Sequence, residues 1–364
     1  MDDTPFDFDP VRLAAWCVIA VVTVTLLVLG KALLVPLAIA IFIWILLGAI
    51  ASLLARLAPA DMHVPTWLAN AVGILIIVAS SYATIAVIKR QSEALTAALP
   101  AYQANFAAII SDFKQSLNIV ELPTTESLLS RLDAAAILSW AGDSVTALMS
   151  NVMLIAIYVG FLLVEERVLP TKIRHLNKDT EKAARISQLA TDVSASIQRY
   201  VGMKTLVSLL TATVSYVVLA MVGVDFAIIW ALLVFFLNFI PTIGSIIAVV
   251  FPALLTLVQF DTITPFLIVA IGLGGAQFVI GNVIEPTFVG KSLNLSSFMI
   301  LLALSFWGTV WGLPGMFLAV PLMVMTGIIC AQFRSLRWVA VILAADGNLI
   351  SSKSRKNKKR GLET

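Results

Sequence analysis

The sequence predicts an all-α, polytopic membrane protein of about eight spans, each near the roughly 20 apolar residues that a crossing helix needs. Three observations carry this. Hydrophobic residues make up 60% of the 364-residue chain and charged residues only 12%, about half the charged share of an ordinary soluble domain. Mean hydropathy is +0.99, more apolar surface than a soluble fold can hide. The apolar residues also come in long continuous runs, not in the short alternating stretches of a transmembrane barrel.

The elements follow in order. The opening MDDTPFDFDPVR is acidic, and the run after it lacks a small-residue cleavage site, so it reads as a retained anchor and not a secretory signal. The first span is expected over 12–29, a corner at Gly30 and Lys31, and a second span over 33–55 with Pro36 near its start. A short polar connection, 56–65, leads to a third span over 66–88. The character then changes. Leu95, Leu99, Tyr102, Phe106, Ile109, Phe113 and Leu117 recur at steps of three and four, one face of an amphipathic helix. Pro123 ends it, and a second amphipathic helix is expected over 125–141. These two helices fit an oligomerisation arm or a cap over a pathway as well as a hairpin resting on the membrane surface.

A fourth span is expected over 149–164, then a basic polar segment, 165–204, with a helix around 178–200. A fifth span, 205–223, precedes a broken apolar run, 226–260, a span over 263–283 and a final run, 297–333. The tail after Asp346 carries Lys353, Arg355, Lys356, Lys358, Lys359 and Arg360. It is expected to lack fixed structure, serving as a topology anchor or a binder of anionic lipid headgroups. Five units result: 1–88, a three-span unit; 89–148, the extracytoplasmic helices; 149–204, the fourth span with its basic segment; 205–335, a transport core; and 336–364, the tail. Lys and Arg concentrate in 165–204 and the tail, which places both in the cytoplasm, puts the N-terminus and 56–65 inside, and leaves 89–148 outside.

Several chemistries drop out. Cys17 and Cys330 both lie in apolar runs and read as packing residues. His63 and His175 stand alone and far apart, so no metal site is expected. No phosphate-binding loop, nucleophile–base pair or H-E-x-x-H signature is present. Enzyme chemistry, ATP drive, a cofactor and a nucleic-acid partner are therefore not expected.

Residues 237–252, LNFIPTIGSIIAVVFP, pose the functional question. Pro241 removes a backbone donor and frees a carbonyl, which in hydrocarbon costs several kcal/mol unless protein or water satisfies it. The break must be sheltered or must line something wet. The half-run 226–240 rises only about 22 Å, short of the roughly 30 Å hydrocarbon core. A re-entrant hairpin and one long kinked helix both remain open. The final run has a similar break in SFWGTVWGLPGMFLAVPL, at Gly308, Gly312, Pro314, Gly315 and Pro321. Paired interrupted segments are the sequence pointer to a transporter's binding site, although Gly308-x-x-x-Gly312 also permits close helix packing.

Between the breaks, Gly272, Gly274, Gly275 and Ala276 make a thin helix face suited to a tight crossing. Gln277, Asn282 and Glu285 follow at steps of five and three, so all three fit one broad face. Each can bind a polyol hydroxyl or a cation, and lipid is a costly place to bury them. Glu285 precedes Pro286 and reads as a helix end, free to line the pathway or to pair with Lys291. Asn238 can satisfy freed backbone groups or touch a ligand, and Asp225 reads as a helix cap. The candidate pathway residues are Asn238, Pro241, Thr242, Gly244, Gln277, Asn282, Glu285 and, in the second break, Trp307 and Pro314.

Three stretches, GVDFAIIWALLVFFLNFIPTIGSIIAVVFP, NVIEPTFVGKSLNLS and WGLPGMFLAVPL, resemble the AI-2E, or PerM-like, family of autoinducer-2 exporters in order and spacing across 195–335. The resemblance implies a multi-pass protein of the bacterial inner membrane and a homo-oligomer, a pentamer in some members. It also implies export of small molecules: some members are linked to the quorum-sensing signal autoinducer-2, others to sodium/proton exchange. Carried over by motif, the implied positions are Asn238, Pro241 and Gly244, then Glu285, Pro286, Gly290 and Lys291, then Trp307, Gly312, Gly315 and Pro321. The chain departs from the family's usual aromatic at Thr242 and usual basic residue at Thr287. The expected function is export of a small polar solute, with a proton or sodium ion as a possible coupled partner and membrane lipid around it. The alternatives are a sodium/proton antiporter with Glu285 as the titrating carboxylate, and a non-transporting scaffold or regulator.

Overall fold

The fold comes from a computed structural model, described here over residues 10–57, 65–117, 151–176, 180–289, 295–332 and 336–345. The described residues form helices throughout, apart from short turns and one isolated backbone bridge between Leu295 and Ala344. In chain order they are α1 (Pro10–Leu29), α2 (Lys31–Leu57), α3 (Thr66–Leu117), α4 (Val152–Leu176), α5 (Thr180–Val222), α6 (Ala227–Leu237) and α7 (Ile243–Gln259). There follow α8 (Thr264–Val279), a π-helical turn (Ile280–Ile284), α9 (Glu285–Val289), α10 (Ser297–Trp311), α11 (Leu313–Gln332) and α12 (Arg337–Leu343). Among the described residues, five segments are long and apolar enough to cross a membrane: Lys31–Arg56, Trp67–Gln91, Ser194–Val222, Thr264–Thr287 and Leu313–Ala331. Four further apolar helices are shorter: Ala14–Leu29, Ala227–Leu237, Ile243–Gln259 and Ser297–Trp311. The all-α, polytopic expectation holds.

Two helices run on where separate elements were expected. The 52 residues of α3 form one rod of about 78 Å, joining the third span to the first amphipathic helix. The residues between them, IKRQSEAL, include no breaker, and their helix-forming side chains carry the turn pattern onward. Likewise α5 fuses the expected cytoplasmic helix to the fifth span in 43 residues. The second amphipathic helix, 125–141, lies outside the described residues.

Packing gathers on α2, α5 and the second half of the chain. Phe42 of α2, Phe239 of the first break and Phe317 of α11 meet edge-on or tilted, with ring centroids 4.6–5.9 Å apart. Such pairs contribute about 0.5–1.5 kcal/mol each beyond burial. Around them lie buried Ile45, Val201, Leu318 and Val324. A second cluster, Leu219, Ala253, Val269 and Leu273, ties α5 to α7 and α8. The side chains of α1 between Ala14 and Leu26 are exposed, including Trp16, Val18, Val21 and Leu26. An apolar helix left bare in this way belongs against lipid.

Both broken runs double back. In the first, Gln259 at the end of α7 donates from Nε2 to the Gly223 carbonyl at 2.8 Å, and its Oε1 accepts the Asp225 amide at 2.9 Å. The two ends of the α6–α7 hairpin therefore meet at the C-terminal end of α5, and the kinked-helix alternative falls away. At 11 residues, α6 is only about 16 Å long. The tip turns through Thr242 at φ 63, and the Gly244 amide closes it on the Ile240 carbonyl at 3.0 Å. A Cβ at Gly244 would run into the Leu237 carbonyl, so the tip requires glycine there.

The second hairpin pairs α10 with α11 through Gly312 at φ 67. Gly315 lies directly under the Trp307 carbonyl, and Gly308 lies against Met316. The Gly308-x-x-x-Gly312 spacing thus serves this one hairpin: the first glycine makes room and the second makes the turn. The hairpin starts at Ser296, whose amide donates to the Leu343 carbonyl at 2.9 Å. The two hairpins point in opposite directions along the bundle. The first is rooted beside Gly223 and the second beside the Lys204 level of α5, about 28 Å away along that helix. They lie side by side where Ile240, Leu304 and Ala319 are buried together.

Candidate functional site

A cavity of about 530 Å³ opens where the tip of the first hairpin meets α5, the π turn and the base of the second hairpin. The hairpin tip contributes Asn238, Pro241, Thr242 and Ser245. From α5 come Tyr200 and Lys204, and from the α8–α9 segment Gln277, Phe278, Gly281, Asn282 and Glu285. The second hairpin closes one wall with Leu295, Ile300 and Val320.

The π turn explains why residues spaced five and three apart share a wall. A π turn bonds i to i+5 and is wider than an α turn, so a five-residue step through it strays less from one face. Gln277, Asn282 and Glu285 all line the cavity from this one segment. Pro286 does not end the helix. The expected helix end at Glu285 is corrected: α9 continues through Glu285–Val289. The π turn directly before Pro286 is the irregularity that lets the helix run on past a residue with no backbone donor.

Glu285 pairs with Lys204 at 2.6 Å between Nζ and Oε1, with side-chain exposures of 25% and 7%. The alternative pairing with Lys291 lies outside the described residues. A lysine this deep in a crossing segment is tolerable only with a partner. Lys204 also belongs to a buried polar stripe on α5: Lys204, Ser208, Thr211 and Ser215, at steps of four, three and four. That spacing is one face of a helix. Asn238 does not serve freed backbone groups. Its Nδ2 donates to Ser208 Oγ at 2.9 Å and fastens the hairpin tip to the stripe. Asn282 donates to the Phe278 carbonyl at 3.0 Å, which leaves its amide oxygen as an acceptor. Gln277 is different: its Nε2 is fully buried and has no hydrogen-bond partner. An unpaired buried amide costs about 1–3 kcal/mol.

The remaining candidates sit elsewhere. Gly244 packs inside the hairpin. Trp307 packs against Trp311 with ring centroids 4.6 Å apart and the rings tilted at 47°. Pro314 stands in the first turn of α11, at the second hairpin's tip. None of these three lines the cavity. Among the expected small-residue crossing positions, Gly272 packs so closely on Val218 of α5 that an added methyl would lie 2.9 Å from it, whereas Gly274 and Gly275 face open space. Lys204, Tyr200 and Ser208 are not among the residues singled out from sequence. Their signal is the periodic polar stripe within an otherwise apolar span.

The expected cap at Asp225 is also corrected. Phe226 takes the N-cap of α6 at φ 58 without a side-chain bond. Asp225 instead accepts the Tyr102 hydroxyl at 2.6 Å, and Asn105 donates to the Val258 carbonyl at 2.9 Å. The far arm of α3 is thus latched onto the root of the first hairpin. Partial burial, followed by the hydrogen bond to Asp225 and its charge, pushes the Tyr102 phenol well above its ordinary pKa of 10.0.

Opposed hairpins around a polar, charge-paired cavity in a multi-pass helical bundle are the marks of a membrane transporter. The profile described as "AI-2E family transporter" matches residues 17–335, and the chain belongs to that family. The AI-2 transport protein TqsA of Escherichia coli (strain K12) is 31% identical over 314 residues, 85% of this chain and 89% of that protein. A relative in Haemophilus influenzae is 31% identical over 304 residues, covering 81% of this chain and 85% of its own. Another in Borreliella burgdorferi is 32% identical over 267 residues, 71% and 72% of the two chains. The last two carry provisional names as transport proteins. Family and relatives are named as transporters, so this chain is a multi-pass membrane transporter and not an enzyme.

Proposed function

We propose that the protein is a secondary exporter of a small polar molecule, of the autoinducer-2 kind, working by alternating access around the two hairpins. One observation carries the reading: the cavity at the first hairpin tip sets amides, hydroxyls and the Lys204–Glu285 ion pair opposite apolar Phe278, Leu295, Ile300 and Val320. Its charges cancel, and its remaining polar groups suit the hydroxyls of a neutral solute. The Gln277 Nε2 is unpaired but fully buried in the wall, so it can meet a solute only when the wall moves. A relative named as an AI-2 transport protein over most of the chain supports the substrate class. Movement of the hairpins against α5 and α8 would expose the cavity to each side in turn, driven by a proton or sodium gradient. The Lys and Arg distribution supports a bacterial inner membrane with both termini cytoplasmic. A homo-oligomer, pentameric as in some family members, completes the proposal.

The test is export of labelled autoinducer-2 and related polyols from loaded vesicles. Gln277→Ala and Asn282→Ala are expected to cut flux severalfold while the protein stays folded. Unchanged flux in both variants removes this pathway. Sodium/proton antiport is the second reading, favoured by the carboxylate of Glu285 in the cavity wall. The Lys204 ammonium already occupies that carboxylate, which is why antiport ranks second. Glu285→Gln with full pH-dependent sodium flux in proteoliposomes would eliminate it.

A further inference from the structure

A second cavity, of about 240 Å³, lies between α2 and α5 and shares no lining residue with the first. The two helices touch closely at one point, where Gly202 faces Ala49 and Gly48 lies against Gln198. Beside that contact they leave a groove with two different ends. At one end stand the guanidinium groups of Arg56 and Arg199. Arg56 closes the membrane-length segment Lys31–Arg56, and Arg199 lies near the start of Ser194–Val222. Both therefore sit at headgroup depth. Toward the bilayer centre the wall becomes apolar: Leu46, Ile50 and Leu53, at steps of four and three, form one stripe of α2. From Arg56 to Leu46 the helix rises about 15 Å, half of the roughly 30 Å hydrocarbon core. The groove is as long as one leaflet is deep.

Its charge is unbalanced. No acidic residue lines it, and among the described residues neither guanidinium has an ion-pair partner. The neighbouring hydroxyls of Ser52 and Thr205 already donate to backbone carbonyls, and the Gln198 amide donates to Ser194 Oγ at 3.3 Å, so the arginines are the charged donors left free. A guanidinium fork matches phosphate oxygens in a bidentate way that a point charge does not. We infer that this groove holds one anionic phospholipid, its phosphate on Arg56 and Arg199 and an acyl chain along Leu46, Ile50 and Leu53. A zwitterionic lipid would bring a cation back to the two arginines, and a free phosphate would leave the apolar stripe uncovered. Basic recesses between membrane helices are known places for acidic headgroups. The inference does not depend on the transported solute.

The experiment uses the full chain, extracted in mild detergent from phosphatidylcholine vesicles with or without phosphatidylglycerol. Native mass spectrometry counts the lipid molecules retained. Wild type is expected to keep one phosphatidylglycerol in preference to phosphatidylcholine. In R56Q/R199Q that preference falls on the order of tenfold to thirtyfold, the worth of two basic residues at an anionic surface. R56K/R199K keeps an intermediate preference, because charge survives without the fork. Should R56Q/R199Q fail to fold, the single variant R199Q and the lysine pair give the same ordering. Equal retention of phosphatidylglycerol in wild type and R56Q/R199Q, or no preference in wild type, overturns the assignment. Soluble glycerol phosphate raising thermal stability as much as phosphatidylglycerol does overturns it too, by showing a free-phosphate site.

Discussion

The Lys204–Glu285 pair is the place to test whether the cavity wall is held by charge. Lys204→Met removes the cation and leaves a carboxylate three-quarters buried, and Glu285→Gln leaves an ammonium 7% exposed. Stranding one partner of a buried pair costs about 3–5 kcal/mol. The exposure of Glu285 puts Lys204→Met at the low end, about 3 kcal/mol, because water reaches the abandoned carboxylate. The double variant strands neither charge, so the stranding cost of both singles is absent from it, and replacing a buried pair whole is often near neutral. The double variant should therefore cost at least about 3 kcal/mol less than the sum of the singles. The assay is unfolding of each protein in mixed micelles titrated with sodium dodecyl sulfate, assembled into a double-mutant cycle. Additivity to within about 0.5 kcal/mol, the behaviour of independent sites, would refute the reasoning. The 2.6 Å contact would then contribute nothing that its parts do not.

Two further predictions follow from geometry. Gly244→Ala drives a methyl into the Leu237 carbonyl, whereas Gly275→Ala meets nothing within 4 Å. The first should destabilise by about 1–3 kcal/mol or abolish assembly, while the second should be neutral or gain up to about 1 kcal/mol in the same titration. Tyr102→Phe removes the bond to Asp225 and should cost about 1 kcal/mol. Because the phenol pKa is raised above 10.0, that contribution is whole below pH 10 and is lost only as pH rises through the higher folded value. The difference between wild type and Tyr102→Phe should therefore stay flat from about pH 6 to about pH 9; a slope across that window would contradict the latch.

Much of this was legible in the chain itself. Continuous apolar runs can satisfy their backbone only as helices in lipid, so fold class and the approximate ends of α1, α2 and the two broken runs followed from hydropathy. Pro241 and Gly312 marked both breaks, because proline and glycine act locally. Gln277, Asn282 and Glu285 stood out because polar groups in an apolar segment must have somewhere to go, and all three do reach one cavity. The partners were another matter. Glu285 finds Lys204, 81 positions away; Asp225 finds Tyr102 across 123. Periodicity on a single helix says which residues share a face, not which helix that face meets.

Sequence alone therefore determined that this is a helical membrane protein with two interrupted segments and a few misplaced polar side chains, since each of those facts is a property of local chain chemistry against lipid. Only the tertiary structure decided that both interruptions double back in opposite directions, that a π turn separates Gln277 from Glu285 on one cavity wall, and that Lys204 neutralises Glu285 there. Those outcomes depend on how α5 packs against both hairpins. Such packing is fixed by contacts between residues far apart in the chain, whose pairing no local pattern encodes.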